Sequence, residues 1–301
     1  MTHTSIHNRK SAITKSILSW YRKNARPLPW RKTRNPYRIL VSEVMLQQTQ
    51  VSRVLQKYPE FLRRFPNFSS LAHARTADVI RAWAGMGYNN RAVRLLEIAK
   101  EIMNNHNGRL PADISLLQKL PGIGRYTAHA IACFSFERHT AVVDTNVRRI
   151  LGRLFPQQAR SMDEWELAEW ALPKRKAYEW NQALMELGSA FCTSANPHCN
   201  DCPVQRYCPS AFQIHKQKKL HGKNNHRAAI PNRIYRGRII ALLRTLRRHQ
   251  SIDSNRLLQM IQPEPRSHNQ KWFSLIVTGL QRDGLIQLHS KKTKTFISLP
   301  E

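Results

Sequence analysis

Acid is what this sequence lacks most. Its 301 residues carry 19 Asp and Glu against 49 Lys and Arg, a formal charge of +30. So one-sided a chain repels itself on compaction, and solubility alone does not require the imbalance. The shortage points to a polyanionic partner, either nucleic acid or an anionic membrane surface. Long apolar runs are missing too. None approaches the ~20 residues of a spanning helix, which weakens the membrane reading and favours nucleic acid. The N-terminus, MTHTSIHNRKSAITKSILSW, has no apolar core or cleavage site, so no signal peptide is expected and an intracellular protein is. Cysteine is scarce at five residues, and four of them crowd into CTSANPHCNDCPVQRYC. In a reducing compartment such a cluster suggests metal rather than disulfides.

Strand-like alternation is nearly absent before residue 230. ILVSEVMLQQTQVSRVLQKYPEFLRRF places Ile39, Leu40, Val44, Leu46, Val51, Val54 and Leu55 close to a helical period, and LEIAKEIMNN and WELAEWAL repeat the pattern. Pro36, Pro66, Gly85, Gly87, Gly108 and Pro111 punctuate these segments. Residues 1–209 therefore read as an all-α domain, and residues 210–232 as a polar, basic linker. Residues 233–301 read as a small winged-helix-like α+β domain of three helices, a turn at Asp283-Gly284 and the strand TKTFISL. From Ala211 to Glu301 there are 18 Lys/Arg and 4 Asp/Glu, a net +14.

Three stretches carry chemistry. In LPGIGRYTAHAIA, Gly122 and Gly124 precede a helix. They permit backbone angles closed to other residues and leave N–H groups facing outward at the positive end of a helix dipole. This is a helix-hairpin-helix pattern suited to a DNA phosphate, although a plain turn between packed helices would use similar residues. In AVVDTNVRRIL, Asp144 has the position of a helix N-cap. Glu43, in LVSEVMLQQTQV, is an acid among apolar neighbours. Two carboxylates, one kept protonated and one ionised, suit the cleavage of a glycosidic bond. Cys192, Cys199, Cys202 and Cys208 follow C-x6-C-x2-C-x5-C, a set able to hold zinc or an iron–sulfur cluster.

Together with LPWR, NPYRILVSEVMLQQTQV, AGMGYNNRA and NQALMELG, these stretches resemble the endonuclease III superfamily of helix-hairpin-helix DNA glycosylases, and within it the adenine DNA glycosylases. The resemblance runs from about Leu28 to Cys208. It implies a two-module helical fold whose four cysteines hold a 4Fe-4S cluster. It further implies a monofunctional enzyme of base excision repair that removes adenine mispaired with 8-oxoguanine or guanine. Glu43 is then the acid that protonates adenine, Asp144 the stabiliser of the cationic sugar, and Asn146 a positioning group. Trp30, Arg31, Leu46 and Gln182 fall in or near the adenine pocket. Gln48 and Tyr88 fill the gap left by the extruded base. Tyr126 stands where bifunctional relatives carry a lysine, and a phenol cannot form their Schiff base. The expected partner is double-stranded DNA containing mispaired adenine, bound by a monomer in the cytoplasm near the nucleoid.

The family's usual Nudix-like C-terminal domain is not recognisable, and TSANPH lacks the basic residues common in the cysteine loop. Arg206 and the linker lysines are expected to contact phosphate instead. GYNN replaces a more aromatic sequence. Two alternatives stay open: a thymine or uracil glycosylase acting opposite guanine, and a non-catalytic DNA-binding protein.

Overall fold

In a computed structural model the protein is described over residues 3–213, 231–261, 269–291 and 293–301. Apart from its ends, the expected linker lies outside the described residues. In chain order the helices are α1 (His3–Asn24), α2 (Pro36–Leu46), α3 (Val51–Arg64), α4 (Phe68–Ala72), α5 (Thr76–Ala82), α6 (Asn90–Asn105) and α7 (Ile114–Lys119). They continue with α8 (Arg125–Phe136), α9 (Thr145–Leu154), α10 (Glu164–Ala171), α11 (Ala177–Ala190), α12 (Asn232–Thr245), α13 (Ser254–Ile261) and α14 (Asn269–Arg282). Three strands, β1 (Ile252–Asp253), β2 (Gln287–Lys291) and β3 (Lys294–Ser298), form one antiparallel sheet in the order β1-β3-β2. The chain divides into two compact units: Met1–Ile39, Ala112–Gln118 and Ile123–Asn224 in one, and Leu40–Pro111, Lys119–Gly122 and Asn225–Glu301 in the other.

The first unit packs α1 and α9 against α11. Helix α1 covers the stretch that reads as a polar N-terminus. Its apolar residues are few, but Ile13, Ile17 and Tyr21 recur every fourth position and are all buried. They share a core with Phe134, Val147, Leu151, Trp180 and Leu187. The sequence DEWE starts α10 with a capping box. The Asp163 carboxylate accepts from the Glu166 N–H, and the Glu166 side chain accepts from the Asp163 N–H.

The second unit contains α3 to α6 and the three C-terminal helices with their sheet. The long helical stretch expected after Pro36 is interrupted. Helix α2 stops at Leu46, Gln48 turns left-handed with φ +54°, and α3 starts at Val51. The expected apolar pattern holds only in part across the break: Val44 and Val54 are buried, whereas Leu55 is exposed. The C-terminal elements have the order of a winged helix, with the expected turn at Gly284 (φ +66°) and two strands, β1 and β2, that the sequence reading left out. Ala77, Ile80 and Val93 share one buried core with Ile239, Ile240, Leu243, Leu280 and Ile297. Arg244 binds the carbonyl of Ile80 and the side chain of Asn89, while the Ala77 N–H donates to the carbonyl of Pro300. The tail thus completes the core of residues 40–111.

Candidate functional site

In the first unit the chain enters α9 through Asp144, which caps that helix. Its Oδ1 accepts from the Val147 N–H at 2.7 Å, and its Oδ2 accepts from Asn146 Nδ2 at 2.8 Å. The buried run Ala141, Val142 and Val143 fixes the approach to that cap. Asn146 in turn accepts from Arg149 Nη2 at 2.7 Å, and Arg149 Nε donates to the Cys192 carbonyl at 2.6 Å. A Cβ on Gly188 would lie 2.6 Å from the Asn146 Cβ, so only glycine lets α11 approach there. Both oxygens of Asp144 are therefore oriented by N–H donors, one from the backbone and one from a side chain that is itself anchored.

Arg31 links a further candidate, Gln182, to a second side chain in the same unit. Its Nε donates to Gln182 Oε1 at 2.7 Å and its Nη2 to Glu186 Oε2 at 2.7 Å. Glu186 is buried, and Arg26 binds its other oxygen. Burial pushes the Glu186 carboxyl up, but the Arg26 and Arg31 guanidiniums outweigh it and hold the group below its ordinary range. The sequence reading missed Glu186. Its signal was an acid inside the apolar run ALMELG, which needs cationic partners once buried. Trp30 is buried in a 3-10 turn, Pro29–Lys32. Tyr126, on the first turn of α8, is half-buried against the core of this unit.

The second unit holds Glu43, Leu46, Gln48, Tyr88 and Gly122. Glu43 is buried on α2 and Leu46 is half-buried at its end. Gln48 and Tyr88 are exposed, and both are left-handed, with φ +54° and +43°. The turns that carry them meet at Arg91, a buried residue that the sequence reading also passed over. Its Nη1 donates to the carbonyls of Val44, Met45 and Gln47, and its Nη2 to Thr49 Oγ1 and to the carbonyls of Met86 and Gly87.

The hairpin between α7 and α8 buries Leu120 and Ile123 and exposes Gly122 and Gly124. Gly122 has φ +73°, and a Cβ there would meet Arg94 Cδ at 2.7 Å. Gly124 is the N-cap of α8. The hairpin offers backbone N–H groups at a helix start, as a phosphate site requires.

Cys192, Cys199, Cys202 and Cys208 line one cavity of about 30 Å³ together with Arg153 and Phe191. Arg153 Nη1 lies 3.2 Å from the Cys192 Sγ. Burial pushes the Cys202 thiol up to about 11, and the three neighbouring sulfurs add to the shift. Among the described residues, no three His, Cys, Asp or Glu side chains are grouped so as to hold a single metal ion. Four thiols lining one cavity are a donor set of the kind that an iron–sulfur cluster or a zinc ion takes.

Residues 41–173 match the family model described as HhH-GPD superfamily base excision DNA repair protein. The adenine DNA glycosylase of Mycobacterium tuberculosis is 44% identical over 196 residues, 63% of this chain and 64% of that protein. The human adenine DNA glycosylase is 39% identical over 225 residues, 70% of this chain and 41% of that protein. The chain thus spans less than two thirds of either relative. A solved thermostable thymine-DNA glycosylase superposes with a TM-score of 0.66 at 28% identity, covering 69% of this chain and 99% of that one. An endonuclease III–DNA complex, at 21% identity and a TM-score of 0.61, shares the fold over 71% of this chain and 98% of that one.

Proposed function

We propose that this protein is a monofunctional adenine DNA glycosylase, a reading supported by the match of residues 41–173 to the HhH-GPD superfamily of base excision DNA repair proteins. Its substrate is double-stranded DNA in which adenine stands opposite 8-oxoguanine or guanine. The observation that carries the reading is Asp144, whose two oxygens are oriented by Val147 and Asn146. An ionised carboxylate held in this way stabilises the positive charge that develops on the sugar as the base departs. Glu43, buried on α2, donates the proton that turns adenine into a leaving group. Arg31 and Gln182, held together and anchored on Glu186, contact the extruded base along with Trp30 and Leu46. Tyr126 supplies no amine, so the product is an abasic site in an uncut strand. The exposed N–H groups around Gly122 and Gly124 bind backbone phosphate.

Cys192, Cys199, Cys202 and Cys208 would hold a 4Fe-4S cluster, which when bound supplies a rigid cross-link of the loop and a one-electron centre. Purified protein should then contain about four iron atoms per chain. Stoichiometric zinc without iron would refute the cluster assignment.

The deciding experiment is single-turnover base release from a panel of duplexes containing A:8-oxoguanine, A:G, T:G and U:G, followed by alkali to reveal abasic sites. Release confined to the adenine duplexes supports the proposal. Release of thymine from T:G would favour the second reading, which the resemblance to the thymine-DNA glycosylase keeps in play. Binding without release on every duplex would leave a non-catalytic DNA-binding protein.

A further inference from the structure

Two turns in the second unit share an unusual conformation and a common anchor. Gln48 and Tyr88 are not glycine, yet both have positive φ. Such a conformation persists only where the surroundings over-determine it. Both side chains are exposed, and Tyr88 is 50% exposed. The surroundings that determine the two turns are largely one guanidinium. Arg91 reaches the carbonyl of Gln47, just before Gln48, at 2.7 Å and the carbonyl of Gly87, just before Tyr88, at 3.1 Å. It also binds Thr49 Oγ1 and the carbonyl of Met86, each at 3.0 Å. Among the described residues its hydrogen-bond partners are all neutral oxygens, and burial pushes its pKa down to about 10. The Trp83 indole, stacked near the same guanidinium, donates to the Gly87 carbonyl at 3.2 Å. Burying a charge is costly unless hydrogen bonds satisfy its donors, and here the planar guanidinium meets carbonyls of both turns at once. Here it fixes the spacing between two exposed prongs.

We propose that Arg91 is a positioning residue for base extrusion, holding Gln48 and Tyr88 as one rigid two-pronged wedge. The inference rests on the reading of the protein as a DNA glycosylase. In a duplex, one prong alone would leave the gap half-filled and the extruded base free to return. Two prongs at a fixed separation offset the loss of stacking and pairing in a single step. A purely structural arginine, one that only satisfies the last carbonyls of α2, makes no such distinction between substrates.

The test compares Arg91→Lys with wild type on two substrates. One is the A:8-oxoguanine duplex; the other carries the same adenine opposite an abasic analogue, where extrusion is cheap. Base release should fall ~30-fold or more on the first and only a few-fold on the second, because the wedge matters in proportion to the cost of unstacking. In a Gln48→Ala/Tyr88→Ala background, Arg91→Lys should add less than about twofold, since coupled residues are not additive. Thr49→Val, which removes a single acceptor of the clamp, should show the same selectivity on a smaller scale, and it guards against a failure of Arg91→Lys to fold. Equal losses on both substrates, or full additivity with the double variant, would overturn the proposal. Fluorescence of 2-aminopurine at the target position reads extrusion without base release, and the signal should fall in Arg91→Lys at saturating protein. Unchanged fluorescence would also overturn it. If wild type released adenine from neither duplex, the glycosylase reading would fail while the fluorescence comparison still decided the role of Arg91.

Discussion

Asp144 serves two purposes that substitution can separate. Its carboxylate caps α9 and, in the proposed reaction, faces the developing charge of the sugar. Asparagine is also a good N-cap but would set its Nδ2 against Asn146 Nδ2, so Asp144→Asn should melt a few degrees below wild type, and alanine at this position should cost about 0.5–2 kcal/mol. Both variants should slow base release by about 10²- to 10³-fold, because each removes the ionised partner of the sugar cation. Single-turnover rates beside thermal melts check the pair. Rapid release by Asp144→Asn would take the residue out of the chemistry. Glu186 behaves differently. Its carboxylate is held below the ordinary range in the folded protein, so the stability it contributes is present above the unfolded-state pKa, about 4.3. That contribution is lost as pH falls through the lower, folded value. Glu186→Gln should therefore narrow the difference in stability between neutral and acidic solution, as urea melts at about pH 7 and about pH 3.5 would show. An unchanged difference would mean that Arg26 and Arg31 hold nothing through this group.

At the scale of elements, the tail and residues 40–111 form one core. Leu243 on α12 is buried with Ile80 and Val93. Leu243→Ala should cost about 2–5 kcal/mol. The loss should reach past the tail, raising hydrogen exchange in α5 and α6 as well as in α12. Exchange confined to the tail would show that the two parts open separately. The tail elements were largely legible in the sequence, since SNRLLQMI coincides with α13 and Gly284 marks the expected turn. What they pack on was not legible, because an apolar face does not name its partner. The same limit explains α1, whose four buried apolar residues, Ile13, Ile17, Leu18 and Tyr21, are diluted by polar ones. It explains the break at Gln48 too: a polar QQTQ fits a helix surface until a distant arginine takes the carbonyls of α2. The cysteines, Asp144 and the glycine hairpin announced themselves by type and spacing. Arg91 and Glu186 did not, since their meaning depends on burial and on partners far along the chain.

For the whole molecule, charge sets the range of conditions in which it works. If the protein binds duplex DNA as proposed, its net +30 should make that affinity fall with salt. In the second unit, Arg75, Arg81, Arg247, Arg248, His249 and Lys291 line a cavity of about 190 Å³. If Arg247 and Arg248 each meet a phosphate, replacing both with alanine should lower the slope of log affinity against log salt by ~1.8, at ~0.9 per contact. Affinity should weaken alike for matched and mispaired duplexes, because phosphate carries no sequence information. Titrations over a series of salt concentrations test this, and an unchanged slope would place DNA on another face.

Gly188 carries a consequence for heredity. It touches no reacting atom in the proposed mechanism, and its own side chain is a hydrogen. Yet the methyl group of alanine at this position would collide with Asn146 and press on Ile150, whose Cδ1 lies 3.1 Å away. In a host that depends on this protein for replication fidelity, Gly188→Ala should raise the rate of spontaneous G:C to T:A transversion toward that of a deletion strain. A mutation-frequency assay with the variant expressed at wild-type level would measure it, and a wild-type frequency would show that α11 can yield to the extra methyl. The smallest possible change of side chain would then act as a mutator allele, with its effect written into every later generation of the genome it failed to repair.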